Sequence, residues 1–596
     1  MSSTVTHPLQ SSAATHSSLA EKWKPLRVWP VVPLLLGMVA ARYIPTQIED
    51  GPSMLWAVVA FGPLLMSLLI VLWWLIASRA RWFERLLGLV GIVGTCSASA
   101  MFLDKTMLGP AITVLMIPLG VALFSLGAII CSRWLSIQRT LIPIVLAACG
   151  FASTTLLRTD GMWGDFAMGL DWRWKPTSEE QIAARIEAET NDASKTAVTA
   201  ADLENPQWPS FRGVEGNSRY RGVQLATDWD TNPPKLLWKT VIGPGWSSFV
   251  AAGDWLFTQE QRGEMECTVC YNAKDGKEVW VQQTESRFDD PLGGPGPRAT
   301  PTLANGKLFT MGGKGWLTCL NALDGALLWQ KDIGSIANVP PPMWGFSSSP
   351  LVVGNTVIVH AGGDNSQGVL AFATETGELA WTAPCGKDSY SSPQLCTIVG
   401  EPIVVMLTNT GMTLLDPATG KVRLDYDWKV TGYRSLQPQM LDDNLLLLPS
   451  GMGFGTRLVR IEKSGEDYSA KEVWTSRQLK PDFNDFVIYQ GHAYGFDALI
   501  FTCIDLETGK QKWKGGRYGK GQVLLVEDSG HLLVASEQGD LVLLQADPTG
   551  LKELATIKAL EGRTWNHPVL IGNRLYLRNS QEAACYELPT VSPAPL

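Results

Sequence analysis

The sequence predicts an all-β eight-bladed propeller preceded by an α-helical transmembrane region of about five spans. Three observations carry this: a ten-residue motif that returns along the C-terminal part, a lone strand-like segment ahead of its first copy, and a run of apolar stretches confined to the first 157 residues.

The motif first appears as YNAKDGKEVW (Tyr271 to Trp280). It returns as LNALDGALLW (Leu320 to Trp329), FATETGELAW (Phe372 to Trp381), LDPATGKVRL (Leu415 to Leu424), CIDLETGKQKW (Cys503 to Trp513) and LQADPTGLKEL (Leu544 to Leu554). A looser copy ends at Trp474. Asp-Gly or Thr-Gly between two short alternating runs marks a tight hairpin, because glycine reaches positive φ without a Cβ penalty. A second pair of short apolar runs precedes each copy, as in SSPLVVGNTVIVHAGG, so each unit is a four-stranded blade. Seven copies and a remnant, AACYELP (Ala583 to Pro589), give eight blades. The remnant lacks an outer strand, which KLLWKTVI (Lys235 to Ile242) supplies; closing the ring this way leaves no long sheet edge. Trp238, Trp280, Trp329, Trp381, Trp474 and Trp513 are expected to pack between blades.

These repeats resemble the pyrroloquinoline-quinone (PQQ)-like eight-bladed propellers, a group that includes quinoprotein alcohol dehydrogenases and the outer-membrane assembly lipoprotein BamB. PQWPSFRGVEGNSRYRG (Pro206 to Gly222) resembles the lead-in segment of bacterial propellers of this kind. The resemblance covers about residues 206 to 590. It implies the fold, and it implies either an enzyme or a scaffold, since the group contains both.

Apolar runs at about 28–47, 54–77, 86–103, 108–131 and 140–157 are each long enough, or nearly so, to cross a hydrocarbon core. Basic residues lie before the first run (Lys22, Lys24, Arg27), in the second connection (Arg79, Arg81, Arg85) and in the fourth (Arg133, Arg139). These are expected on the cytoplasmic side of a bacterial inner membrane, which puts the propeller on the periplasmic side. Residues 1–27 are expected as a tail, 158–232 as a linker with a short helix and the lead-in segment, 233–590 as the propeller and 591–596 as a second tail. Residues 1–157 carry 10 Lys and Arg against 5 Asp and Glu; the remaining residues carry 39 against 52, a net −13. That acidic part speaks against nucleic acid as a partner. In the linker, Trp172 and Trp174 are read either as interfacial anchors or as propeller contacts, and Thr177 or Ser178 as a helix cap.

No catalytic set is assigned. Cys267 and Cys270 form a CxxC without the following His of a haem site, and three residues apart on a strand they face opposite ways. The resemblance implies PQQ and Ca²⁺ as possible cofactors, yet quinoprotein dehydrogenases typically cover PQQ with adjacent cysteines, which this chain lacks. Asp482, Asn484 and Asp485 are the only dense set of oxygen ligands for a hard cation. The segments leading into the innermost strands line one mouth of the ring. They supply Trp246, Arg298, Trp344, Tyr390, Tyr433, Arg434, Asp485, Lys520, Arg563, Trp565, Asn566 and His567, read as a ligand mouth or as loop residues satisfying local turns. Convergence of Arg434, Asp485 and Lys520 beneath an open funnel is what a polar-ligand site would show. The leading expectation is a membrane-anchored extracytoplasmic scaffold that binds a protein partner or a small polar ligand. The alternatives are a PQQ- and Ca²⁺-dependent membrane-bound dehydrogenase and a ligand-sensing receptor.

Overall fold

A computed structural model describes residues 24–48, 55–134, 136–189 and 197–591. The chain divides into two compact units, residues up to 158 and from 159 onward.

The first unit is helical: α1 (Val31–Gln47), α2 (Leu55–Ile76), α3 (Trp82–Ala100), α4 (Ile117–Ile130) and α5 (Gln138–Ser153). Against the five spans expected, four stretches are long and apolar enough to cross a membrane among the described residues: Ala57–Ile76, Trp82–Ala100, Ile112–Ile130 and Gln138–Leu156. α1 is apolar but has only 17 residues, because it starts at Val31, after Pro30, and not at 28; a proline disfavours helical backbone in the residue before it. The three basic connections meet at one end of this unit. Leu26 N–H donates to Ser132 O at 2.9 Å and Arg27 N–H to Ser78 O at 2.8 Å. Arg139 pairs with Glu84 at 2.6 Å, both fully buried, and also donates to Lys24 O. A buried pair of this kind is costly to break from one side, so it pins α3 to α5. The expected tail before residue 24, like most of the tail after residue 590, lies outside the described residues.

The second unit carries eight sheets of four or five strands, which form the eight-bladed β-propeller. Blades one to seven span 250–285, 302–332, 351–383, 394–427, 439–476, 486–517 and 522–558, each a meander in sequence order. Blade eight takes three strands from 569–587, and its outermost strand is Lys235–Val241, paired Cys585 to Trp238 and Ala583 to Thr240. The first strand of the ring therefore completes the last blade.

The repeated motif is an interlock. The tryptophan closing one blade lies on the turn glycine of the next: Trp238 on Gly276, Trp280 on Gly325, Trp329 on Gly377, Trp381 on Gly420 and Trp474 on Gly509. A Cβ on Gly377 would sit 2.7 Å from the Trp329 ring, and its φ of +67° is strained for any L side chain. The indoles also cross the seam by hydrogen bonds: Trp238 to Ala273 O, Trp329 to Thr374 O, Trp381 to Pro417 O, Trp474 to Leu506 O and Trp513 to Asp547 O. Trp280 stacks without one, and Trp513 bonds without stacking, since nothing lies within 4 Å of a Cβ on Gly550. Cys267 and Cys270 sit in one strand and face two different cores, Cys267 towards the seam with blade eight and Cys270 towards blade two.

Helix α6 (Ser178–Glu189) is capped reciprocally, Thr177 N–H to Glu180 at 2.6 Å and Glu180 N–H to Thr177 Oγ at 3.1 Å. It docks on blade one and on the outer strand of blade eight: Glu179 pairs with Arg287, and Arg185 donates to Val241 O. Residues 190–196 of the expected linker lie outside the described residues. Trp172 and Trp174 stack on each other, centroids 4.8 Å apart, and both are exposed.

Gly377→Ala is expected to cost about 1–3 kcal/mol, because it combines a left-handed backbone with a clash on Trp329. Gly550→Ala, with open space around it, should stay within about 0.5 kcal/mol. Thermal midpoints of the two variants check this, and equal shifts would remove the interlock as the reason for the motif.

Candidate functional site

Two segments outside the repeat convert the ring's central channel into a closed-bottomed cavity. The first is the lead-in segment. Trp208 bridges antiparallel to Ala251 in the innermost strand of blade one, and Arg219–Tyr220 runs parallel to the innermost strand of blade seven. Between them the chain turns inside the ring. Pro209 O accepts from Leu303 of blade two, Glu215 O from Gln394 of blade four, and Arg212 reaches Asp485 at the start of blade six.

The turn is held by a buried cluster. Arg212 Nε donates to Asp485 Oδ2 at 2.8 Å, Ser218 Oγ lies against the same oxygen and 2.8 Å from His567 Nε2, and His567 Nε2 is 3.2 Å from Asp485. All four side chains are at least 96% buried. Burial pushes the Asp485 carboxyl up, but Arg212, His567 and Ser218 outweigh it and hold it below the usual carboxylate range. Arg212 and Ser218 have φ of +65° and +59°, strained positions that the cluster over-determines. The group has the members of a nucleophilic triad but not its order. Asp485 and Ser218 share Nε2, while Nδ1 is 2.8 Å from Pro568 O, so no carboxylate orients the far nitrogen of a His–Ser pair.

The second segment is the turn of the hairpin Leu157–Met162 and Met168–Trp172, which lies over the mouth. Arg563 donates to Met162 O at 2.5 Å, Asp160 O at 2.6 Å, Leu292 O at 2.8 Å and Gly293 O at 3.2 Å. Its guanidinium lies against both Trp246 and Trp565 from one side of the pair, 4.9 and 4.3 Å from the ring centroids. Glu537 accepts from Gly164 N–H at 2.6 Å and from the Trp565 indole at 2.8 Å. A Cβ on Gly164 would meet Lys520 at 2.3 Å, so only glycine brings the turn this close.

Beneath this lid lies a cavity of about 300 Å³. Of the mouth residues read from sequence, Trp246, Arg298, Trp344, Tyr390, Tyr433, Lys520, Trp565 and His567 line it. Arg434, Asp485, Arg563 and Asn566 do not. Arg434 donates to Thr408 O and Trp428 O, Asn566 to Gly245 O and Ser247 O, and Arg563 latches the lid. The expected convergence of Arg434, Asp485 and Lys520 therefore does not occur. Each is drawn to a nearer partner, Lys520 to Asp482 and Asp485 to Arg212, and the mouth is lidded. Sequence reasoning missed Trp163, Phe166, Phe211 and Phe483, all lining residues, together with Arg212 and Ser218. The only sequence signal for the lid is the aromatic between glycines in GMWGDF.

The residues present do not fit PQQ with Ca²⁺. A tricarboxylate needs uncommitted cations, yet Arg298 is paired with Asp290, Lys520 with Asp482, and Arg563 is engaged by carbonyls. Asp482, Asn484 and Asp485 do not converge on a cation either: Asn484 bridges Asp482 N–H and Ala498 O, and both carboxylates are ion-paired. Among the described residues no group of three His, Cys, Asp or Glu could hold a metal ion. The chain's Cys267 thiol is buried and pushed up to about 12.

The family model described as outer membrane protein assembly factor BamB matches residues 224–341 and 266–434. Among solved structures, BamB from Moraxella catarrhalis is 14% identical, covers 60% of this chain and 100% of its own, and has a TM-score of 0.44. A quinohemoprotein alcohol dehydrogenase, ADHIIG from Pseudomonas putida HK5, is 13% identical with a TM-score of 0.47 over 67% of this chain and 84% of its own. Saccharomyces cerevisiae Sqt1 is 10% identical with a TM-score of 0.41 over 63% of this chain and 100% of its own. No curated protein matches the sequence.

Asp485→Asn leaves Arg212 buried without a counter-charge and is expected to cost about 3–5 kcal/mol, read from the unfolding midpoint. Because the folded-state pKa of Asp485 is depressed, its contribution is present above the unfolded carboxylate value near 4 and fades as pH falls through the lower folded value. The wild type should lose that increment on acidification, and the Asn variant should not. Arg563→Met should free the lid, speeding chymotryptic cleavage at Trp163 or Phe166 by roughly tenfold, and an unchanged rate would deny Arg563 the latch role.

Proposed function

We propose that the protein is a membrane-anchored binding propeller. Its helices hold it in a bacterial inner membrane, its ring works on the extracytoplasmic side, and the lidded mouth receives a ligand or partner segment. The observation that supports this best is the cavity itself. Aromatic rings from the lid, the lead-in turn and six blade mouths are gathered around one space, while the polar groups that catalysis would need are bound into structural clusters. Concave, mostly apolar spaces with few polar groups are binding sites by default. The match of the BamB family model over part of the ring supports a scaffold reading on the same side of the membrane, with a protein among the possible occupants.

The orientation rests on the meeting of the basic connections at one end of the helical unit, by the positive-inside rule.

The test uses the full-length protein in detergent, titrated with PQQ and Ca²⁺. No shift in the melting temperature and no dye-coupled alcohol oxidation are expected. Binding would raise the midpoint by mass action, so a saturable rise accompanied by oxidation would make the protein a quinone-dependent dehydrogenase and overturn this reading.

A further inference from the structure

We infer that the lidded cavity selects an uncharged, flat aromatic molecule that carries a hydrogen-bond acceptor oxygen; this rests on the binding reading above and narrows it to a ligand class. Three features of the lining lead there.

The first is shape. One wall is Trp344, Tyr390 and Tyr433, with ring centroids 5.5, 4.5 and 5.1 Å apart and interplanar angles of 47°, 87° and 75°. Another is Trp246, Trp565 and Phe483, with centroids 4.7 and 4.9 Å apart. At these separations the rings of each wall already touch one another, so no ammonium-sized gap is left inside either trio. A quaternary-ammonium cage keeps its rings apart around the cation, and neither wall does so. What remains between the walls and under the lid is about 300 Å³, the low end of small-molecule sites. That suits a compact ring system.

The second is charge. Every Arg, Lys and Asp lining the cavity is already balanced. Arg298 pairs with Asp290, both under 9% exposed, and Lys520 with Asp482. Arg563, behind the wall, directs its four N–H bonds to the lid and to Leu292 and Gly293. An ionised ligand would be taken out of water with no uncommitted counter-charge to meet it, and such burial is strongly unfavourable.

The third is a pair of unused donors. A relay of hydroxyls runs round the mouth: Thr300 Oγ accepts from Ser248 N–H, Ser349 Oγ from Thr300 N–H and Ser392 Oγ from Ser349 N–H. Ser349 and Ser392 both line the cavity and are 5% and 4% exposed. Each oxygen is held by the backbone donor of its neighbour, and neither hydroxyl proton is given to an acceptor among the described residues. A buried O–H without an acceptor is costly, and a ligand carbonyl or ether oxygen at this wall would relieve it. The ligand then lies flat between the aromatic walls with its acceptor on the serines of blades three and four.

Three probes with one ring system isolate these features: naphthaleneacetamide (neutral, with a carbonyl), naphthaleneacetate (anion) and naphthylethylamine (cation). Each is titrated into the full-length protein by isothermal calorimetry, against detergent alone and against Ser435→Trp and Ser347→Trp, which fill the cavity from half-buried positions. Two blocking variants are used so that one misfolded protein does not decide the outcome, and their melting temperatures are compared with the wild type. The amide is expected to bind one to one, at least tenfold more tightly than either ion, and to lose that binding in both blocked variants. Ser392→Ala should weaken the amide several-fold without changing its stoichiometry. An ion that binds in the cavity as well as the amide overturns the inference while leaving the binding function standing. Absence of amide binding in a wild type of normal stability also overturns it. Amide binding that survives both blocking variants places the probe outside the cavity and overturns it as well.

Discussion

Ring closure is the constraint on which the remaining structure depends. The outermost strand of blade eight is Lys235–Val241, which precedes blade one in the chain, so the two ends of a meander are tied through one strand. Trp238 extends the tie, because the strand that pairs with blade eight also lays its indole on Gly276 of blade one. With the ends fixed, the Trp-on-Gly contact recurs at four further seams, Trp280 on Gly325, Trp329 on Gly377, Trp381 on Gly420 and Trp474 on Gly509, and the eight innermost strands are brought round one channel. An unclosed array would expose two sheet edges and would have no channel.

The ring alone does not make a site, since a channel is open at both ends. Closure of the channel falls to segments that come before blade one in sequence and carry none of its periodicity. The turn around Arg212 and Ser218 touches most of the blades and supplies Phe211 to the lining. The turn around Trp163 and Gly164 covers the mouth. Both are fixed by buried charges acting on backbone or on one another, and both require unusual backbone, at Arg212 and Ser218 in one and at Gly161 and Phe166 in the other. Strain and buried polar bonds concentrated in non-repeating segments mark where the fold departs from its own regularity.

That division explains what is legible in the sequence. The fold is legible because its information is local and repeated: a turn glycine four residues before a tryptophan states both the hairpin and the seam. Mouth positions are legible as a set, because the segment before each innermost strand is placed by the blade count. Their roles are not. Arg434 and Arg563 look alike in sequence, yet one binds its own neighbourhood's carbonyls and the other the lid, a choice made by partners about 26 and 400 residues away. His567 looks unpartnered because its carboxylate, Asp485, lies two blades earlier. The aromatic lid reads as part of a linker because a hairpin turn of a few residues has no periodicity to betray it. The first span falls short for a local reason, the late start of α1 after Pro30.

Chemistry at the mouth follows from how charge is distributed inside a low-dielectric ring. A propeller that binds an anion must keep at least one cation uncommitted, at some loss to its own stability. Here the lining cations are matched with carboxylates or carbonyls contributed by the same few loops. The pairing steadies the lid and the blade mouths, and by the same act it removes the means of holding an ionised ligand. Two relay hydroxyls and two aromatic walls are what is left over, so the selectivity of the cavity is set by what the fold did not need for itself. A propeller with the same ring and one unmatched arginine at the position of Arg298 would be expected to bind a different class of molecule, which is why likeness of fold fixes the place of a site and leaves its chemistry to the partners of each side chain.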